Sequence, residues 1–263
     1  MTMTALDATL DWVSARIRRR VVCAPDPTRD CIHTDVDRLR RVLLPGDVVL
    51  VDGCDKISAA IRYLTQSSWS HAALFVGAVP GTETSHGEPH ELIESNLGEG
   101  CVSCPLSKYS LYPTRICRPV NLDSQDRDRL VQYMLDRIGL RYDVRNVIDL
   151  ARYLIPHPPV PLRWRRKMIA LGSGEPTRAI CSTLIASAFQ SIGYPILPVV
   201  EKVLDGTQTA NGYSLDELYH IRHHSLFTPR DFDVSPYFQI VKPTLAEGFD
   251  YRRIAWADTD RKV

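Results

Sequence analysis

The stretch WSHAALFVG, Trp69 to Gly77, places a histidine at the start of a run that otherwise has the composition of a buried β-strand. Apolar residues follow His71 without a break from Ala72 to Val76, and such runs are typical of strands covered on both faces. A rigid sheet would hold a ring at this edge in one place. His71 is therefore either a packed core histidine or a chemical group whose partner comes from elsewhere in the chain.

Composition limits the classes of protein to consider. The chain has 263 residues, 44% of them hydrophobic and 24% charged, which is ordinary for a globular protein with a sizeable core. Because the formal net charge is only +1, nucleic acid is not expected as a partner. No apolar run has the roughly 18 residues of a transmembrane helix, the N-terminus does not resemble a secretory signal, and the scattered cysteines indicate free thiols. We expect a cytoplasmic protein, with signal-independent export left open.

Three regions are predicted along the chain. Residues 1–42 form an N-terminal amphipathic helix, followed by a linker rich in Asp, Pro and Thr. The helix either docks on the domain or contacts a membrane surface, because three arginines follow its apolar face. Residues 43–240 form the main domain and residues 241–263 a C-terminal extension. A basic, Pro-rich insertion, Pro156 to Thr177, is predicted as a loop within the main domain.

The main domain is predicted to be α+β, with an antiparallel sheet or small barrel packed on helices. Its first part alternates short apolar runs with turn residues, which indicates strands, and its later part shows helical spacing. The predicted strands are Val48–Val51, Ala72–Val76, Glu91–Ser95, a piece around Cys101, and Arg115–Val120. The predicted helices are Ile57–Leu64, a helix capped by Asp123 or Ser124 and ending at Gly139, Asp143–Leu154, and Cys181–Ile192.

Cys181 differs from the other cysteines because it begins the helical segment CSTLIASAFQSIGY. The unpaired amides and the positive dipole end of a helix N-terminus favour thiolate over thiol, and they can bind the oxyanion that forms when a thiolate attacks a carbonyl. The alternative is a buried cysteine without chemistry. A nucleophilic thiolate needs a base that forms an ion pair with it and later protonates the leaving group, and His71 is the histidine best placed for this role.

Two other clusters allow metal chemistry. Cys101 and Cys104 form a CxxC without a second ligand pair, and His220, His223 and His224 form the sequence HIRHH. Both have plain alternatives, inert thiols in the first case and a solvated helix or turn in the second. We expect no metal site and no organic cofactor.

The order PGDVVLV, WSHAALFVG, ELIES and AICSTLIASAF resembles the permuted NlpC/P60 superfamily, specifically the YiiX/YebB-like cysteine hydrolases, which are related to the lecithin:retinol acyltransferase group. The resemblance covers roughly Leu43 to Phe238. It implies a circularly permuted papain-like fold in which the histidine strand precedes the cysteine helix. The basic Pro-rich insertion and the N-terminal helix depart from the compact family pattern.

The resemblance also implies roles for particular residues. It gives Cys181 as nucleophile, His71 as base and Glu94 as the acid that orients His71, with Glu91 as the rival because the long loop before this strand leaves its register open. Backbone amides near residues 181–183 would hold the oxyanion. Three further residues are implied at the substrate or oxyanion site: Ser182, Ser70 and Tyr142, the tyrosine of GLRYD, which is otherwise a packing residue.

Two classes of function follow. The first is a cysteine hydrolase or acyltransferase that acts on an amide or ester bond through a thioester, with a peptide, a lipid or another acyl compound as substrate. The second is a catalytically idle papain-like module that binds a peptide, lipid or membrane surface through Trp164, Arg165, Arg166 and Lys167. This basic segment and the N-terminal helix make an anionic membrane surface a further candidate partner.

Overall fold

The structure is a computed structural model that describes residues 35–54, 56–96, 99–140, 180–209, 212–220, 227–243, 248, 250 and 252. For residues 199–209 and 212–220 it describes the backbone only. The predicted N-terminal helix, the predicted helix Asp143–Leu154 and the basic Pro-rich loop lie outside these residues.

A six-stranded antiparallel sheet is the centre of the fold. Its strands are β1 (Val48–Val51), β2 (His71–Phe75), β3 (Leu92–Asn96), β4 (Gly100–Cys104), β5 (Thr114–Pro119) and β8 (Phe238–Val241). They lie in the order β4-β3-β2-β1-β5-β8, and every neighbouring pair is antiparallel. The α+β class and the antiparallel sheet are thus confirmed, and the sheet is open with β4 and β8 at its edges.

Helices cover both faces of this sheet, as the unbroken apolar runs of the central strands require. One face packs against α3 (Ser124–Leu135), α4 (Ile180–Ser191) and α5 (Pro229–Asp233), and the core there includes a cluster of aromatic rings formed by Phe189, Phe232 and Phe238. The other face packs against α1 (Val36–Val42) and a 3-10 helix (Leu106–Tyr109). Helix α2 (Lys56–Thr65) connects β1 to β2.

Several elements differ from the sequence prediction. Helix α1 lies where a loop was predicted; it is short and highly charged, and its one buried residue is Leu39. Helix α3 begins after an Asp123 cap as predicted, but it ends at Leu135, before the positive-φ Gly139. Residues that were left without regular structure form an antiparallel hairpin of β6 (Val199–Thr209) and β7 (Gly212–His220). None of the described helices is both long and apolar enough to cross a bilayer.

The turn before β1 is fixed by a buried carboxylate. Asp47, 1% exposed, accepts a hydrogen bond from the Leu44 backbone N–H at 2.9 Å. It also accepts two hydrogen bonds from Arg118 on β5, at 2.9 Å from Nε and 2.7 Å from Nη2. Gly46 has a φ of +96°, a conformation that favours glycine. The GD pair of the sequence therefore sets the point at which β1 enters the sheet.

Candidate active site

The register of the sheet brings His71 and Glu94 together. Ala73 on β2 pairs with Glu94 on β3, and His71 lies two residues before Ala73 on the same face, so the two side chains are diagonal neighbours. His71 Nε2 lies 2.9 Å from Glu94 Oε2. About a fifth of the His71 side chain is exposed and none of the Glu94 side chain is. His71 is therefore not a plain core histidine, because a buried carboxylate orients it.

The rival carboxylate is engaged elsewhere. Glu91 precedes β3 and accepts a hydrogen bond from Arg40 Nε of α1 at 2.9 Å. The same arginine also pairs with Glu88 at 2.9 Å, so it ties α1 to the loop before β3. The structure thus favours Glu94 over Glu91 as the partner of His71.

Cys181 lies in the first turn of α4 and is 4% exposed. Its sulfur interacts with the His71 imidazole by charge and by a hydrogen bond, and it accepts hydrogen bonds from the backbone N–H groups of Ala72 and Ser182. The Ala72 group is available because the pairing of β2 with β3 begins only at Ala73. Since His71 Nε2 is bonded to Glu94, Nδ1 is the ring nitrogen left for the thiol.

These contacts favour a thiolate facing an imidazolium. Burial alone raises the pKa of Cys181, but the charge of His71 and the hydrogen bonds from His71, Ala72 and Ser182 outweigh it and hold that pKa below its ordinary value. Burial likewise lowers the pKa of His71, yet the charges and hydrogen bonds of Cys181 and Glu94 raise it to about 10. Burial opposes ionisation of Glu94, but the hydrogen bond and charge of His71, followed by the charge of Lys108, lower its pKa.

The other buried thiols have the opposite character. Burial raises the pKa of Cys101 to about 11 and that of Cys117 to about 12, and it also raises the pKa of Cys104. Cys101 and Cys104 lie in the cores on opposite faces of the sheet, so the CxxC spacing does not bring their side chains together. Among these buried cysteines, the structure gives Cys181 the features of a reactive thiol.

The hydroxyls of the two predicted site serines are used inside the protein. Ser182 Oγ donates to the Phe227 carbonyl at 2.8 Å, which ties the first turn of α4 to the segment before α5. Ser70 Oγ accepts from the Gly53 N–H at 2.9 Å and donates to the Val51 carbonyl at 3.3 Å. A Cβ at position 53 would lie 2.3 Å from Ser58 Oγ, so the backbone can come this close to the Ser58 side chain because residue 53 is glycine. The oxyanion role of both serines stays a prediction, and the group that Ser182 presents to the sulfur is its backbone N–H.

Other predicted site residues lie outside the described residues. These are Tyr142, the basic segment Trp164 to Lys167, and His223 and His224 of the histidine cluster; His220 is the last residue of β7. Within the part of the chain that the structure describes, no three His, Cys, Asp or Glu side chains are grouped as metal ligands.

Sequence reasoning missed three contacts of Glu94. Lys108 Nζ forms an ion pair with Oε1, the Tyr109 hydroxyl donates to Oε2, and Asn96 Nδ2 donates to Oε1 at 2.8 Å. Asn96 is two residues along the same strand and so on the same face, which a strand prediction could have shown. Lys108 and Tyr109 come from the 3-10 helix, whose placement over the sheet has no signature in the sequence.

The comparisons with known proteins find similarity among solved structures. No family model matches the chain, and no curated protein matches it. Among solved structures, the chain is similar to the metalloprotein YiiX from Escherichia coli O157:H7, with 14% sequence identity and a TM-score of 0.43. That match covers 75% of this chain and 96% of the YiiX chain.

Proposed function

We propose that this protein is a cysteine-dependent hydrolase or acyltransferase that acts on an amide or ester bond. The observation that supports the proposal is the sequence of contacts from the Cys181 sulfur through the His71 ring to the buried Glu94 carboxylate. A nucleophile, a base and a group that orients the base are the parts that thioester chemistry requires. We also propose that the fold is a permuted papain-like fold, because the histidine strand precedes the cysteine helix in the sequence, as in that fold.

In the proposed first step, the Cys181 thiolate attacks the substrate carbonyl carbon. A bond forms between sulfur and carbon, and the carbonyl π electrons move to oxygen. When the carbonyl re-forms, the bond to the leaving nitrogen or oxygen breaks, and the leaving group takes the proton of the His71 imidazolium. The products are an acyl thioester, a free amine or alcohol, and a neutral His71.

In the second step, water or an acceptor hydroxyl or amine attacks the thioester. His71 accepts the proton of this nucleophile, and collapse of the second tetrahedral intermediate expels the Cys181 thiolate. The imidazolium and thiolate are thus restored. Glu94 acts through His71, because a carboxylate on Nε2 keeps Nδ1 directed at the sulfur and stabilises the charged ring. The backbone N–H groups in the first turn of α4, that of Ser182 among them, are candidates to bind the oxyanion.

The substrate class is open between peptide, lipid and other acyl compounds. An anionic membrane surface remains a proposed partner, and it depends on the predicted N-terminal helix and the basic segment near Trp164. Retention of the protein on anionic vesicles at low salt, and its release as salt rises, would support that partner.

The experiment that tests the proposal is alkylation by iodoacetamide, followed at each cysteine by peptide mass spectrometry across pH. We expect Cys181 to react fastest at mildly acidic pH, because its thiolate fraction is high where ordinary thiols are protonated. In His71→Ala this selectivity should be lost. A matching burst of p-nitrophenol from p-nitrophenyl acetate, one per molecule of protein and absent from Cys181→Ala, would report the acyl thioester.

The other cysteines of the same chain are the internal control. Cys117 is the closest comparison among them, because it is buried like Cys181 but burial raises its pKa. Labelling of Cys181 no faster than that of Cys117 would contradict the enzyme proposal and favour the idle binding module.

A further inference from the structure

Glu94 lies between two cations. His71 Nε2 contacts Oε2, and Lys108 Nζ forms an ion pair with Oε1. The Lys108 side chain is 38% exposed, whereas Glu94 is fully buried. Lys108 therefore delivers a positive charge from the protein surface to a carboxylate that water does not reach.

The charges of the site alternate along this row of contacts. In the ion-pair form the thiolate of Cys181 is negative, the imidazolium of His71 positive, the carboxylate of Glu94 negative and the ammonium of Lys108 positive. These four charges sum to zero. Without the ammonium, the buried group would carry one net negative charge, which is costly in a region of low dielectric.

The other groups that hydrogen-bond Glu94 are neutral. Tyr109 donates its hydroxyl, and its pKa is raised well above the ordinary value by burial and by the charge of Glu94. Cys104 on β4 also hydrogen-bonds Glu94, and burial and the same charge raise its pKa. On the Lys108 side, Glu99 adds a negative charge from the β3–β4 turn, and Glu94 and Cys104 face the ammonium. Among the described residues that contact Glu94, Lys108 is thus the cation that remains when His71 is neutral.

We propose, on the basis of the cysteine-dependent function above, that Lys108 is a positioning residue of the same site: acting through Glu94, it sets the pH range in which the thiolate and imidazolium coexist. Removing this cation disfavours loss of a proton from Cys181 and from His71 alike, because both losses add negative charge to the site. The acidic and alkaline limits of the reactive range should then both move to higher pH.

The chain offers a matched control. Arg40 and Glu91 form an equivalent contact between a partly exposed cation and a carboxylate that is 8% exposed, at 2.9 Å. That pair joins α1 to the loop before β3, and its carboxylate is not the one bonded to His71. Loss of the Lys108 or the Arg40 charge is expected to lower stability. The proposed role is therefore shown by a pH range of Cys181 reactivity that shifts in the Lys108 variant and not in the Arg40 variant.

The test is the pH dependence of Cys181 alkylation in wild type, Lys108→Met, Lys108→Arg and Arg40→Met. We expect the acidic limit of labelling, which reports the Cys181 thiolate, to rise by about one pH unit in Lys108→Met. It should stay at the wild-type position in Lys108→Arg, which restores the cation, and in Arg40→Met. If Lys108→Met does not fold, Lys108→Gln retains a hydrogen-bond donor without the charge, and the same shift is expected.

The outcomes separate the two proposals. Selective labelling of wild-type Cys181 with the same acidic limit in the Lys108 and Arg40 variants would overturn the role of Lys108 and leave the proposed function standing. Wild-type labelling without selectivity for Cys181 would instead contradict the proposed function, and the role of Lys108 with it.

Discussion

Two buried carboxylates lie at opposite ends of the β1–β2 strand pair. Asp47, before β1, is 1% exposed and is held by Arg118 and a backbone N–H. Glu94, on β3 and in contact with His71 at the start of β2, is fully buried and is held by Lys108, Tyr109, Asn96 and His71. Burial of the two acids is the same, so burial does not distinguish a structural carboxylate from one in a reactive site.

The difference lies in the partner. The guanidinium of Arg118 stays charged at all physiological pH, so the Asp47 pair holds a turn and moves no proton. His71 is a titratable ring that contacts both Glu94 and the Cys181 sulfur, so in the proposed mechanism it gains and loses a proton. A buried acid paired with a histidine that has a second partner is therefore the feature that identifies the candidate site.

The largest expected effect is a loss of reactivity in the Glu94→Gln variant, which changes the carboxylate at the His71 end of the strand pair. The amide has the same shape but no charge to stabilise the His71 imidazolium. We expect ester hydrolysis per folded molecule to fall about 100-fold, measured with p-nitrophenyl acetate. Glu91→Gln, which changes the neighbouring buried carboxylate, should retain activity; an equal loss in both variants would contradict the assignment of Glu94.

The second-largest expected effect is a loss of stability in the Asp47→Asn variant, which changes the carboxylate at the other end of the strand pair. Loss of the carboxylate charge leaves Arg118 without its ion pair, although about a quarter of that side chain reaches water and part of the cost is thereby relieved. We expect the free energy of unfolding to fall by about 2 kcal/mol in urea denaturation. The alkylation rate of Cys181 in the folded protein should be unchanged. A changed rate would mean that the two ends of the strand pair are coupled.

Much of the fold could be predicted because local patterns report it. The runs VVLV and HAALF gave the two central strands, and the apolar spacing of CSTLIASAF gave the helix that carries Cys181. Helix α1 was missed because its seven residues, VDRLRRV, are mostly polar and its place depends on Leu39 packing against the sheet. The β6–β7 hairpin was also missed, although Asn211-Gly212 is a turn signal in the sequence.

The candidate site could be predicted only in part, because some of its residues are marked by their type and position whereas others meet through register and tertiary packing. Residue type and position at an element's end indicated Cys181 and His71 as a nucleophile and a base, a role that stays a prediction. The choice between Glu94 and Glu91 depends on strand register, which a long loop hides and which the pairing of Ala73 with Glu94 supplies. Lys108 and Tyr109 meet Glu94 through tertiary packing alone.

The smallest expected effect is the pH dependence of stability that His71 and Cys181 contribute. The pKa of His71 is raised from 6.5 to about 10, so its contribution is complete below pH 6.5 and is lost as pH rises through about 10. The pKa of Cys181 is lowered from 9.0, so its contribution is complete above pH 9.0 and is lost as pH falls through the folded value. Just below pH 9.0 the two slopes cancel, and above it the histidine slope remains.

Below pH 6.5 His71 is protonated in both the folded and the unfolded protein, so only the Cys181 slope remains there. We therefore expect the unfolding free energy of the wild type, relative to Cys181→Ser, to fall by about 1 kcal/mol per pH unit as pH is lowered below 6.5. Urea denaturation at half-unit pH steps measures this difference, and titrations common to both proteins cancel. Cys117→Ala is the matched control, because a buried thiol with a raised pKa is protonated in both states at acidic pH and gives no such fall. A difference that stays level at acidic pH would mean that Cys181 folds as a neutral thiol, and the Glu94 end of the strand pair would then be as structural as the Asp47 end.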